Sequence, residues 1–166
     1  MVVMTNPYAA HLENRDPFEV IGATPGKLEQ LSAKLGAKGM DRSLAPGKWT
    51  GREIYCHLAD CEIAFAFRIR QALAEDNHVI QPFDQDRWAR NYATYQAPAA
   101  LAAFSALRQW NIDLVRSVTP QALDKPLSHP ERGPLTFKGL IETMAGHDLN
   151  HLAQLETIAG RSGAAQ

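Results

Sequence analysis

The 166 residues are 45% hydrophobic and 21% charged, which fits a single globular domain, residues 1–166, with a real core. A formal net charge of −1, with Lys and Arg scattered rather than grouped, gives no electrostatic footprint for nucleic acid or an anionic membrane. No apolar run approaches the ~20 residues of a bilayer span, and the start MVVMTNPYAAHLENRDPF lacks the charged-then-apolar order of a signal peptide.

In chain order, residues 1–23 are punctuated by Pro and Asn and read as an extended segment lying over the body. A first helix is expected from Thr24-Pro25, with Leu28, Leu31 and Leu35 on one face and Gly36 and Gly39 ending it. A second starts at Thr50, where Thr50 and Glu53 form a capping-box signature, and continues to about Glu75. It carries Ile54, Leu58, Phe65, Ile69 and Leu73 near one face. Cys56 and Cys61 lie on it five residues apart and point in different directions. No intrahelical disulfide is expected, and a reducing, cytoplasmic setting is the simplest reading.

The next stretch, DNHVIQPFDQDRWARNYATYQ, is long for a connector inside a compact domain, and such loops are more often functional than idle. It holds Phe83, Trp88, Tyr92 and Tyr95, and Asp84 is placed to cap a short helix through Ala89. A third helix spans about Pro98 to Val118. The segment LSHPERGPLTF is a turn-rich link, and a fourth helix runs from about Thr136 to Ala159 with Gly160 as its stop. Four amphipathic helices with one long connection between the second and third describe an all-α four-helix bundle with a crossover.

The last helix carries the most specific signal. Its inward positions are Leu140, Met144, His147, His151, Leu155 and Ile158, the period of a buried helical face. Imidazole is a poor core group, because each ring nitrogen needs a partner when buried. Two imidazoles one turn apart can aim at a single point, which is how helices chelate a transition metal. His57, beside the apolar face of the second helix, completes a three-histidine set. Three neutral nitrogen ligands leave a coordination position open, the pattern of a catalytic metal. With an ordinary imidazole pKa of about 6.5, protons should weaken such a site more at pH 5.5 than at pH 7.5.

KWTGREIYCHLADCEIAFAFRIRQAL, IQPFDQDRWA, the HPERG turn and GHDLNHLAQL, in that order, resemble the DinB superfamily of four-helix-bundle metalloproteins, and especially its YfiT-like branch of metal-dependent hydrolases. The resemblance covers most of the chain and puts the family's metal-binding histidines on His57, His147 and His151. It implies a divalent metal, nickel or zinc first among them, and a homodimer. It also implies a small-molecule substrate, taken by hydrolysis or by transfer to a low-molecular-weight thiol cosubstrate.

Around the trio, Glu53 and Asp60 lie within a turn of His57, where either could orient an imidazole through its second nitrogen. Trp88 and Tyr92, with Phe83, could roof the site or merely cover the end of the bundle. Cys61 is read as a small buried side chain before a fourth ligand, and Asp148 as a surface charge. His11 and His78 are expected in solvent and His129 in a turn-stabilising role, while Arg87 and Arg90 could meet an anion but read first as solvated. No catalytic side chain is assigned, the nucleophile being water or a thiol. The competing class is a non-enzymatic, stress-related module that binds a metal or small ligand. An open pocket reaching the histidines would favour the enzyme.

Overall fold

The computed structural model describes residues 6–162. Four long helices form the body: α2 (Pro17–Met40), α3 (Gly51–Ala74), α5 (Ala97–Ser117) and α7 (Phe137–Ser162). Between and before them lie α1 (Ala9–Leu12), α4 (Gln85–Ala89), a 3-10 turn (Tyr92–Thr94) and α6 (Pro120–Leu123). Three short strands, β1 (His78–Val79), β2 (Pro126–His129) and β3 (Gly133–Thr136), complete the chain.

The long helices do not follow one another around the bundle. α2 packs on α7 and α5, and α3 packs on α5 and α7, so α2 and α3 face each other across one diagonal and α5 and α7 across the other. One apolar cluster draws on the N-terminal halves of α2 and α7 (Ile21, Ile141, Met144) and the C-terminal halves of α3 and α5 (Phe65, Ile69, Ile112, Val115). The other takes the opposite halves (Leu31, Leu35, Ile54, Leu58, Phe104, Leu155, Ile158). Hence α2 and α7 run one way, and α3 and α5 the other. Between the clusters lies a buried polar waist: Thr24, His57, Glu62, Arg108, Asn111, His147, Asp148 and His151.

The boundaries at Thr50 and Asp84 form as their chemistry dictates. The Thr50 amide donates to Glu53 at 2.8 Å, and the Glu53 amide donates back to the Thr50 hydroxyl at 3.2 Å. Asp84 accepts from the Arg87 amide at 3.0 Å. Elsewhere the sequence-based boundaries need correction. The segment over residues 1–23 is not extended: Ala9–Leu12 is helical, and α2 begins at Pro17, capped by Asp16, whose carboxylate accepts from the Phe18 amide at 2.8 Å. Residues 1–5 lie outside the described residues. Pro25 therefore sits inside a helix rather than at its start. Gly36 (φ 59°) breaks that helix as expected, but a last turn continues to Met40. Gly160 does not stop α7, which runs on to Ser162.

The turn-rich link holds the antiparallel hairpin β2–β3. Its His129–Gly133 turn is closed by an Arg132 amide donating to the His129 carbonyl at 3.2 Å and by Gly133 at φ 83°. β1, the start of the long loop, adds to this hairpin in parallel, pairing His78 with Leu127 and Val79 with Ser128. His78 is consequently buried rather than solvated, with Nδ1 2.6 Å from Glu75 Oε2. This small sheet brings the 77–96 loop and the HPERG turn to the same side of α3 and α7.

Candidate metal centre

His57 comes from the first half of α3, and His147 and His151 from the middle of α7, antiparallel neighbours in the bundle. All three are at least 95% buried. Their ligand nitrogens all lie within 4.8 Å of one another, with Nε2 of His57 3.0 Å from Nε2 of His147. Nitrogens bound tetrahedrally at about 2.0–2.1 Å from one zinc ion stand about 3.3 Å apart, so the spacing is of the right order for one shared ion. His151 Nδ1 is 2.9 Å from the Gln154 side-chain oxygen. A carboxamide oxygen only accepts, so Nδ1 carries the proton and Nε2 keeps the lone pair available to an ion.

Electrostatics favour neutral, ligating rings. Burial pushes the His57 pKa down to about 3, helped by His151. Burial also holds His147 well below the usual imidazole value, with His151 and His57 adding to it, and lowers His151 despite its bond to Gln154. Three unprotonated imidazoles, one tautomer fixed by a neighbour, are a donor set that fits a borderline divalent cation such as zinc or nickel.

The residues singled out in the sequence around this trio fall in different places. Glu53 spends its carboxylate on the cap of α3. Asp60 accepts from the Tyr92 hydroxyl at 2.9 Å, so it anchors the loop. Among the described residues neither hydrogen-bonds an imidazole. The group beside His57 is Cys61, whose sulfur lies 3.4 Å from Nε2 and 3.7 Å from Nδ1. Burial pushes its thiol far up, with Arg68 pulling the other way, and it stands outside the converging nitrogen set. Both cysteines are free. Tyr92 is buried; Trp88 rests on Phe83 at 4.6 Å between ring centroids and is 40% exposed. Arg87 pairs with Asp84 at the surface.

Two aromatic groups that cover the histidines were not singled out as covers in the sequence. Trp49, just before the cap of α3, lies 4.5 Å from the His57 ring and 6.5 Å from that of His151. Tyr8 meets His147 edge-on at 5.3 Å. For Trp49, its place one residue before the N-cap of the His57 helix was a usable signal. Tyr8 had none, since 128 intervening residues separate it from the helix it covers.

Asp148 corrects the sequence reading outright. It is 1% exposed and forms a two-toothed ion pair with Arg108, one contact at 3.1 Å and the other at 2.5 Å. Arg108 also donates to Glu62 at 3.0 and 2.7 Å, and Asn111 donates to the same carboxylate at 2.7 Å. Asp148 does point away from His147's direction, but α7 is enclosed through its middle, and away from the histidines means towards α2 and α5.

A cavity of about 270 Å³ opens beside His147. Tyr8, Cys61 and Phe65 line its inner end. Pro82, Phe83 and Gln85 from the long loop border it, as do His129, Glu131 and Arg132 from the hairpin turn, with Arg68 on α3. His129 also keeps a turn role, since its Nδ1 accepts from the Glu131 amide at 3.2 Å. A second depression, with Trp49 and His151 in its lining, approaches from the other side.

The sequence model of the DinB superfamily matches residues 21–155, which include all three histidines. The "Putative metal-dependent hydrolase OB0782" of Oceanobacillus iheyensis is 31% identical over 139 residues, covering 82% of this chain and 80% of that protein. "Putative metal-dependent hydrolase YfiT" of Bacillus subtilis is 25% identical over 155 residues, covering 91% and 87%. The solved structure of YfiT, described as a probable metal-dependent hydrolase with an unusual four-helix bundle topology, superposes with a TM-score of 0.82 over 89% of this chain and 86% of its own. The diagonal helix order, the boundaries of the match and the shared sequence lead to one assignment: this chain belongs to the DinB superfamily.

Proposed function

We propose that this chain is a metal-dependent enzyme of hydrolase type, holding one divalent ion, zinc or nickel, on Nε2 of His57, His147 and His151 and acting on a small molecule admitted through the cavity beside His147. The observation that carries this reading is the convergence of three buried, neutral imidazoles next to an open cavity. A sealed site would have suited a storage or sensing module better. The names of the relatives from O. iheyensis and B. subtilis support the same class. The chemistry such an ion supplies is that of a Lewis acid: it brings the pKa of a water molecule to about 7, and it acidifies a thiol, whose free value is about 8.5.

The chain's own groups prepare that chemistry. Burial keeps the three rings unprotonated at neutral pH. Gln154 fixes the tautomer of His151. Trp49 and Tyr8 shield the rings from bulk water on two sides. Cys61, held as a thiol, fills the space beside His57.

One feature favours transfer to a low-molecular-weight thiol as a second reading. Among the described residues Glu131 is the one carboxylate lining the cavity, and the Nδ1 lone pair of His129 is engaged by the Glu131 amide, so activation of water has few candidate bases there. A thiol needs none, because it ionises near neutrality.

Elemental analysis of purified protein tests the centre. One divalent transition metal per chain is expected, and its loss in a His147→Ala, His151→Ala double variant. Metal content at the wild-type level in that variant would end the proposal. A screen of loaded protein against ester and amide substrates, and against electrophiles with glutathione, bacillithiol or mycothiol, then separates hydrolysis from thiol transfer.

A further inference from the structure

The cavity beside His147 has a charge pattern that the three histidines do not account for. Arg68 and Arg132 both line it, from α3 and from the hairpin turn. Among the described residues neither has a carboxylate within 4.0 Å, in contrast to Arg108, whose charge is fully matched by Glu62 and Asp148. Arg68 donates to a neutral group, the Gln81 carbonyl, at 3.1 Å, and lies over the rings of Phe83 at 5.5 Å and Phe65 at 5.9 Å. These contacts hold the guanidinium in place without neutralising it. Arg132 is exposed on the turn.

With Glu131 as the one carboxylate, and with His129, His147 and Cys61 neutral, the ionised side chains lining the cavity sum to +1. Burial lowers the Arg68 pKa, and the nearby Arg132 lowers it further. Both also press down on His129, after burial. Two guanidiniums without carboxylate partners, Arg68 partly buried and Arg132 exposed, on adjoining walls of a small cavity are a receptor for an oxyanion, since the planar fork of donors matches carboxylate and phosphate oxygens.

We propose that this cavity takes a small anionic substrate, its carboxylate or phosphate-type group gripped between Arg68 and Arg132 and its reacting end turned inward to His147 and Cys61. Phe83 and Phe65 then flank the apolar middle of the molecule. The inward placement of the reacting end rests on the metal reading above; the anion grip does not.

The test is calorimetric titration with inorganic phosphate and with succinate, and with neutral succinamide as control, on metal-free and on zinc-loaded protein. Phosphate, succinate or both are expected to bind the metal-free protein, and whichever binds more tightly names the preferred group. Succinamide is expected not to bind. Arg132→Gln and Arg68→Gln are each expected to weaken that affinity by about tenfold to a hundredfold, the usual loss for a charge-assisted contact. Arg132 is exposed, so its replacement removes no packing, and circular dichroism confirms the fold of the Arg68 variant. Anion binding confined to zinc-loaded protein, equal binding of the neutral control, or unchanged affinity in Arg132→Gln overturns the proposal. Zinc content in both variants separates the two readings. Normal zinc with unchanged anion affinity removes the anion grip alone, and no zinc with arginine-dependent anion binding removes the metal centre alone.

Discussion

Pro25 explains why an arginine lies in the middle of the bundle. A proline inside a helix has no amide hydrogen, so the carbonyl four residues earlier, that of Ile21, loses its helical partner. Arg108 donates to that carbonyl at 3.1 Å while pairing with Asp148 and Glu62, and Thr24 bridges the same region by donating to Asp148 at 2.8 Å. Burial opposes the charge on Arg108, yet the two carboxylates outweigh it and raise its pKa. Replacing Arg108 by Met should leave two buried carboxylates and an orphaned carbonyl. The expected cost is about 3–5 kcal/mol, read from urea denaturation midpoints. Arg132→Gln should cost under about 0.5 kcal/mol in the same assay, because its charge faces solvent and the cavity. None of this network could be assembled from the sequence. The i, i+4 spacing of His147 and His151 is local and legible, whereas Asp148 acquires its meaning from Arg108, 40 residues earlier on another helix.

The elements were legible in proportion to their length and periodicity. The four long helices follow from apolar stripes at helical spacing and from a capping box that forms as written. The three strands, two to four residues each, are too short to show alternation, and β1 exists because the hairpin offers it an edge. That sheet, with Tyr92 bound to Asp60 and Arg52 donating to the carbonyls of Tyr92 and Tyr95, pins the long loop where it borders the cavity. Trp88 acts at one remove, by supporting Phe83. Its replacement by Ala should therefore raise KM more than it lowers kcat, as loss of substrate contact does. α1 is fixed by a close approach: a Cβ on Gly146 would stand 2.7 Å from both the carbonyl oxygen and Cβ of Tyr8. Gly146→Ala should push Tyr8 off the His147 ring at a cost of about 1–3 kcal/mol. A rise in accessibility of the Cys61 thiol to a small alkylating reagent, with helical content unchanged, would report that displacement; protection at the wild-type level would show that Tyr8 does not cover the site.

At the scale of the whole molecule, the polar waist divides two apolar clusters that each draw on all four long helices. Collapse of those clusters does not depend on an ion, so metal-free protein should remain helical. Its stability should nevertheless depend on pH through the histidines. Unfolded imidazoles titrate near 6.5, whereas burial holds His57 at about 3 and lowers His147 and His151. The unfolded chain thus binds more protons than the folded one across that interval, and stability rises with pH. The contribution is fully present above about pH 6.5 and is lost as pH falls towards the folded-state values. For His57 the loss between pH 7.5 and 5.5 is on the order of 1 kcal/mol. The same shift changes what a metal should do. With ordinary imidazoles, protons would compete for the ligand nitrogens at pH 5.5. With burial-lowered ones protons compete less, and the rise in Tm on adding metal should differ less between pH 7.5 and 5.5 than ordinary imidazoles would give, shrinking as pH approaches 4. Thermal melts with and without chelator at those three pH values check this. A metal-induced rise much smaller at pH 5.5 than at 7.5 would mean that burial does not hold the three imidazoles below their ordinary value.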